Sequence, residues 1–312
     1  MKIYKKSFQK NDYLVTLVIG DKYIKNWEEY CKPLWMEYCN NHDLGLIVIN
    51  KNLISKKNKY YKKITWQKYL IGEYLQSKNL KINNICYLDS DILINYNSPN
   101  IFKFHKINKI SVVYQYRNAP YNIKKTKEKI AVLRNRYYSN SYPIDSALHM
   151  NIKQLYEYHN LAVQKDYFCA GVFVFFLKIF SKFFKKLYFK NDKNVKSITD
   201  DGDQTHFNYE IHKLGKLNYL NYKFQALWIY EMANYYPFLY DRKNINPRIE
   251  TRCISASLVN NYFLHFAGSW YESKMWQKKN ILTNSFTKYY MANLKILKKI
   301  KLKGIPKGVK KP

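Results

Sequence analysis

Short apolar runs recur along this chain between longer stretches whose apolar residues return every three or four positions. YLVTLVI (Tyr13–Ile19), LGLIVI (Leu44–Ile49), NICYLD (Asn84–Asp89), ISVVY (Ile110–Tyr114) and GVFVFF (Gly171–Phe176) are too short for helices and too evenly apolar for strands with one wet face. They read as strands buried on both sides. Helical spacing runs through Asn26–Cys39, Thr65–Gln76 and Ser146–Ala162. This alternation predicts an α/β fold with a largely parallel sheet and helices on both its faces. The most apolar window, CAGVFVFFLKIFSKFF (Cys169–Phe184), is broken by Lys178 and Lys182, well short of the roughly 20 residues that a membrane-spanning helix needs. It predicts a core strand running into an amphipathic helix. Two basic stretches, Lys51–Lys63 and Arg117–Pro143, show neither period. They predict long loops, which in compact α/β enzymes often act as lids or acceptor-binding segments.

Composition changes this picture only in part. A chain of 312 residues, 47% hydrophobic and 18% aromatic, can bury one substantial core. Lys and Arg number 54 against 22 Asp and Glu, a net charge of +32, which turns attention to nucleic acid, an anionic membrane surface or small anions. Only six of the 54 are Arg, and the chain is rich in Lys, Asn, Ile and Tyr, as an AT-rich coding sequence would make it. Readers of nucleic acid favour Arg for bidentate contacts, so no specific nucleic-acid partner is expected. The tail LKILKKIKLKGIPKGVKKP (Leu294–Pro312) is basic and amphipathic, suited to solvent or to peripheral contact with an anionic membrane. Cys31, Cys39, Cys86, Cys169 and Cys253 are odd in number and form no C-x-x-C pair, so neither a zinc ribbon nor a disulfide scaffold is indicated. With no apolar targeting segment ahead of the first strand-like run, a cytoplasmic location is expected, with the tail able to reach the cytoplasmic membrane face.

The candidate chemistry begins at NNICYLDSDILIN (Asn83–Asn95), where an apolar run delivers Asp89 and Asp91 and then becomes apolar again. Residues i and i+2 of a strand share a face, so the two carboxylates converge if the backbone stays extended through Ser90. Held together they repel unless a cation lies between them. Ligands of open α/β sheets bind at the carboxyl ends of strands, and a D-x-D there can hold a divalent ion that itself holds a diphosphate. An isolated D-x-D is equally a turn. A second chemistry is that of haloacid-dehalogenase-type phosphatases, with an Asp nucleophile in D-x-D-x-[TV]. Here Leu93 occupies the last position, two strands and two helices precede the motif, and no strand-like run precedes the acidic DDGD (Asp200–Asp203).

Four further stretches, in order, decide between these readings. TLVIGDKY (Thr16–Tyr23), TWQKYL (Thr65–Leu70), FCAGVFVF (Phe168–Phe175) with DDGDQTHFN (Asp200–Asn208), and HFAGSWYESKMW (His265–Trp276) join the D-x-D. Together they resemble glycosyltransferase family 8, the group of glycogenin and the lipopolysaccharide galactosyltransferases, over most of Tyr13 to Trp276. The resemblance implies a GT-A fold, a Rossmann-like nucleotide-diphospho-sugar transferase domain over 1–285 with a mixed, mostly parallel sheet, and a basic tail over 286–312.

The same resemblance implies roles. Ile19, Gly20, Asp21 and Tyr23 would receive the uracil, Asp21 accepting from the base and Tyr23 stacking on it. Lys68, Asp89, Ser90, Gly171, Gly268 and Lys274 would complete the nucleotide-sugar site. Asp89, Asp91 and His265 would hold Mn2+ or Mg2+, and Asp203 and Gln204 would be catalytic. The implied reaction moves a hexose, glucose or galactose, from a UDP-sugar donor to a glycan or glycolipid acceptor with retention of configuration, in surface-glycan or lipopolysaccharide-type synthesis. Two positions depart from the family pattern. Cys169 stands where the family has Asn, so a donor-sugar contact from an amide is missing or supplied elsewhere. Tyr271 stands where the family has Lys, with Lys274 three residues later. As helix N-terminal residues, Asp200, Asp201 and Asp203 also suit a purely structural capping role.

Overall fold

The computed structural model describes residues 1–114, 118–138, 148–190, 203–268, 270–279 and 281–282. The five evenly apolar runs form β2, β3, β4, β6 and β7 of the strands β1 (Lys2–Lys5), β2 (Tyr13–Leu17), β3 (Gly45–Ile49), β4 (Asn84–Leu88), β5 (Ile92–Ile94), β6 (Ile110–Tyr114), β7 (Phe168–Phe176), β8 (Leu217–Leu220), β9 (Ala226–Leu227) and β10 (Phe263–His265). The helices are α1 (Asp21–Asn26), α2 (Lys32–His42), α3 (Ile64–Gln67), α4 (Ile71–Gln76), α5 (Ile123–Tyr137), α6 (Ile152–Tyr158), α7 (Leu177–Lys190), α8 (Asp203–Leu214), α9 (Trp228–Tyr235) and α10 (Pro247–Asn260).

Seven strands form one mixed sheet in the order β1-β3-β2-β4-β7-β6-β8. Strands β2, β3, β4, β6 and β8 run one way, with β1 and β7 against them. The mixed, mostly parallel α/β sheet expected from the sequence is therefore present. Period-two alternation sends successive side chains to opposite faces, and two cores result. Leu14, Cys86, Val172 and Val174 join Trp35 and Tyr38 of α2 and the buried side of α10. Val15, Ile85, Phe173 and Phe175 join Ile71 and Leu75 of α4, Phe180 and Phe184 of α7 and Phe207 of α8.

A second, three-stranded sheet has the order β5-β10-β9. Strand β5 leaves β4 through a turn at Ser90–Asp91, and β10 pairs antiparallel to it with His265 opposite Ile92. The seam between the two sheets thus lies at the D-x-D. Helix α2 pins that seam, since the buried Trp35 indole donates its Nε1–H to the Ile92 carbonyl at 2.8 Å.

Several expectations are corrected. The segment Arg117–Pro143 is not one long loop, because it contains α5. The Asn122 side chain accepts from the Lys125 N–H at its start, and Ile123, Thr126, Ile130 and Arg134 bury one face, a period masked in sequence by the intervening lysines. Of Ser146–Ala162 only Ile152–Tyr158 is helical, begun by a capping box between Asn151 and Gln154; Ser146 lies outside the described residues. The run SLVNNYFLHF (Ser257–Phe266), which reads as strand-like in sequence, ends α10 over Ser257–Asn260 and is strand only at Phe263–His265. The helix expected over Asn26–Cys39 is part of a longer one from Asp21 to His42, with a π-turn at Trp27–Cys31. Lys51–Lys63 contains neither helix nor strand, as expected. The window Cys169–Phe184 is strand β7 passing into α7, and among the described residues no helix is long and apolar enough to cross a membrane. The basic tail from Leu294 lies outside the described residues.

Replacing Trp35 with Phe should lower stability by about 1–3 kcal/mol through the orphaned Ile92 carbonyl alone, with a further loss for the cavity. Urea unfolding reads this as a lower midpoint at unchanged slope. An unchanged midpoint would mean that the indole bond does not hold β5.

Candidate metal and substrate site

The parallel neighbours β2 and β4 end at the same edge of the large sheet, and their following loops carry Ile19–Tyr23 and Asp89–Asp91. The two aspartates do not converge on an extended backbone as the spacing suggested; the turn at Ser90–Asp91 brings them together. His265 Nε2 lies 3.6 Å from Asp89 Oδ2 and 3.3 Å from Asp91 Oδ1. One ligand atom from each of the three falls within 4.8 Å of the others. Two carboxylates and an imidazole form a donor set for a divalent cation such as Mn2+, with oxygen ligands for a hard ion and nitrogen tolerated by a borderline one. Gly171 on β7 walls this cluster, and a Cβ there would stand 2.3 Å from His265 Cε1 and 2.8 Å from Asp89 Oδ2. The residues present therefore fit a metal group, and Gly171 is glycine because the space is taken.

A second, fully buried layer supports the first. The Tyr87 hydroxyl donates to Asp89 Oδ1 at 2.7 Å. Lys68 Nζ meets Asp203 Oδ2 at 2.8 Å and donates to the Ala170 carbonyl at 3.2 Å; the Tyr69 hydroxyl donates to the same Asp203 oxygen at 3.2 Å. Burial works against the Lys68 ammonium, yet Asp203 and Asp89 hold its pKa above the ordinary lysine value. Burial raises the Asp89 carboxyl, with Lys68 and His265 opposing it. Burial alone would lower the His265 pKa, but the facing Asp91 carboxylate carries it well above the usual imidazole range. Burial also raises the Tyr69 and Tyr87 phenols, reinforced by Asp203 and Asp89 respectively, so both remain hydrogen-bond donors.

Gln204, on the first turn of α8, accepts from the Ala170 N–H at 3.2 Å and donates to the Tyr167 hydroxyl at 3.2 Å. The Asn208 amide accepts from the Phe168 N–H and donates to its carbonyl, each at 2.8 Å, tying α8 to β7 as a strand neighbour would. Thus Lys68, Asp89, Asp91, Gly171, Asp203, Gln204 and His265 form one connected cluster. Ser90 sits in the turn between the aspartates, its carbonyl 3.4 Å from the Cys31 thiol. Gly20 (φ 102°) and Gly268 (φ 112°) both need the left-handed backbone that glycine permits. Ile19 is half-buried, whereas Asp21, Tyr23 and Lys274 are exposed, and among the described residues no hydrogen bond or ion pair joins these last three to the cluster. Asp200 and Asp201 lie outside the described residues.

The sequence reading missed Tyr69, Tyr87 and Gln225. Tyr87 was within reach, because it lies two residues before Asp89 and so shares its strand face. Gln225 had no signal: it stands on an irregular turn before β9 and meets His265 only through the tertiary fold.

No protein-family model matches the chain, and no curated protein matches it in sequence. Solved structures do. A glycosyltransferase involved in the glycosylation of the major capsid of PBCV-1 is 13% identical with a TM-score of 0.48, over 85% of this chain and 97% of its own. The bifunctional glycosyltransferase WbbM is 13% identical with a TM-score of 0.48, over 91% of this chain, which spans only 52% of that larger protein. The galactosyltransferase LgtC, solved with donor and acceptor sugar analogues, is 14% identical with a TM-score of 0.41, over 84% of this chain and 93% of its own.

With the His265 pKa raised by the facing Asp91, an incoming cation competes with a proton for the imidazole. Mn2+ uptake near pH 7 should therefore release protons and tighten as pH rises. Calorimetry in buffers of different ionisation enthalpy should give binding heats that differ between buffers, and identical heats would contradict the assignment.

Proposed function

We propose that this chain is a metal-dependent glycosyltransferase of the family 8 type that moves a hexose, glucose or galactose, from a UDP-sugar to a hydroxyl of a glycan or glycolipid acceptor. The observation that carries the reading is the convergence of Asp89, Asp91 and His265 beside Gly171, where a Cβ would push the ligand side chains aside, with the Lys68–Asp203 pair directly behind. A divalent cation on the three ligands would supply Lewis-acid stabilisation of the departing diphosphate. The chain's own residues do the rest. Asp21 and the 65%-exposed Tyr23 ring receive the uracil, one by hydrogen bonding and one by stacking. The loops with Gly20 and Gly268 let backbone approach the nucleotide. Asp203, its charge balanced by Lys68, binds sugar hydroxyls, and the Gln204 carbonyl faces the positive charge that grows on the sugar as the glycosidic bond lengthens. Among the described residues the cluster holds no further carboxylate to act as nucleophile, so retention would come from attack on the face the leaving group departs, with the departing phosphate accepting the acceptor's proton.

The high positive charge suits a protein that gathers nucleotide sugars, and the basic tail suits an acceptor displayed at an anionic membrane. No geometry among the described residues favours the phosphatase or nucleic-acid readings.

In a thermal-shift experiment with Mn2+, UDP should raise the melting temperature well above the effect of GDP or CMP, since a ligand stabilises only the state it binds. Equal shifts for UDP and GDP would overturn the uracil assignment. Asp91→Asn should abolish Mn2+-stimulated hydrolysis across a panel of UDP-sugars while unfolding remains cooperative.

Gln204 and Asp203 should separate in steady-state kinetics. An interaction made mainly in the transition state lowers kcat with little change in KM, which is expected of Gln204→Ala. Asp203→Asn should weaken KM as well, because its contacts exist in the bound ground state. A Gln204→Ala protein of lowered melting temperature but full activity would return that residue to a structural role.

A further inference from the structure

Strand β7 pairs with β4 over Val172–Phe176 and with β6 at three positions. Towards β6 its partners are Val174, Phe173 and then Phe168, with a register shift between, so residues 169–172 have no partner on that strand. Backbone groups buried this way need other partners. The fully buried Gln225 provides them. With its amide oxygen turned to the β7 backbone, it accepts from the N–H of Val172 at 3.2 Å and of Gly171 at 3.3 Å, and its amide nitrogen donates to the Cys169 carbonyl at 3.2 Å. In that same orientation its oxygen accepts from His265 Nδ1 at 3.1 Å. The opposite orientation sets oxygen against oxygen at Cys169 and N–H against N–H at Gly171 and Val172, so the backbone itself dictates which way the amide points.

We propose that Gln225 is the positioning residue of the metal centre: an amide fixed by the unpaired segment of β7 holds the proton of His265 on Nδ1 and thereby leaves the Nε2 lone pair for the cation that Asp89 and Asp91 would share. A neutral imidazole carries one N–H, and the hydrogen bond made by one nitrogen decides which nitrogen remains free to ligate. Gln225 thus couples the strand segment that carries Gly171 to the tautomer that the third ligand requires. The Cys169 thiol, 3.9 Å from the same Nδ1, is too distant and too weak an acceptor to take over. This inference rests on the metal reading above.

The test uses three full-length proteins and Mn2+ alone as probe, followed by calorimetry or by the loss of the free-ion electron paramagnetic resonance signal. Gln225→Leu keeps the volume and removes both functions; loss of an outer partner of a metal-bound histidine costs about 10–100-fold in affinity, and that loss is expected. Gln225→Glu restores an acceptor for Nδ1–H but not the donor to Cys169, so it should melt lower than wild type yet bind Mn2+ within a few-fold of it. A purely structural Gln225 would lower the melting temperature of both variants and leave Mn2+ affinity of the folded protein unchanged, which overturns the proposal. The ring is also read with diamagnetic Zn2+ or Mg2+ in place of Mn2+, from its 15N shifts. Nδ1–H beside a coordinated Nε2 in wild type and loss of that pattern in Gln225→Leu uphold the assignment, and the same pattern in both overturns it. If wild type itself takes up no divalent ion, the metal reading fails, and with it the positioning role; if wild type binds and Gln225→Leu binds equally well, the positioning role alone fails.

Discussion

Two carboxylates on consecutive sides of one turn cannot be brought against a buried wall without positive charge to meet them. Asp89 and Asp91 are in that position, and much of the surrounding architecture supplies what they demand. His265 arrives on β10 opposite Ile92, which sets an imidazole between them. Lys68 reaches the same region from beneath, held by Asp203 and the Ala170 carbonyl. Tyr87 donates to Asp89 from the strand itself. The need to converge charges explains why the small sheet exists where it does: β5 must turn away from β4 at Ser90–Asp91 for β10 to bring a side chain into the gap.

The buried pair of Lys68 and Asp203 follows from the same constraint and is no simple gain in stability. Two ions removed from water cost several kcal/mol each, and their mutual attraction repays this only with good geometry and further hydrogen bonds. Tyr69 and the Ala170 carbonyl supply those bonds. The arrangement makes sense as preparation of a charged group near Asp89 in a region shielded from water, where its field is screened little. Removing either partner would leave an uncompensated buried charge, so the two residues stand or fall together in the fold as well as in the proposed chemistry.

Much of the fold was legible because the strands of the large sheet are buried on both faces, and the five runs that predicted them have little polar interruption. What escaped was whatever depended on neighbours distant in sequence. Helix α5 hid among lysines because its apolar stripe is narrow and one of its buried positions is Arg134, an ionic residue that meets Glu272 at 2.6 Å across a long stretch of sequence. Strand β10 was legible with the wrong bounds, because SLVNNYFLHF reads as strand throughout although Ser257–Asn260 ends α10 and Phe263–His265 alone is strand. In the site, Asp89, Asp91 and His265 could be named from spacing and resemblance, yet the turn that joins the aspartates could not, since extended and turned backbones share one sequence pattern there.

Gln225 marks the limit of that legibility. Its meaning lies in a register shift between β6 and β7, which no local pattern encodes, and in the amide geometry that matches three backbone groups and one imidazole at once. The same stretch of β7 carries Gly171, whose missing Cβ leaves the space that His265 and Asp89 occupy, so one short segment makes room for the ligands and anchors the amide beside the histidine. A β7 paired with β6 throughout would have no reason to recruit a buried glutamine. The irregular strand and the ligand cluster are therefore a single structural solution, and a substitution that repaired the pairing would be expected to disturb the site even though it touches no ligand.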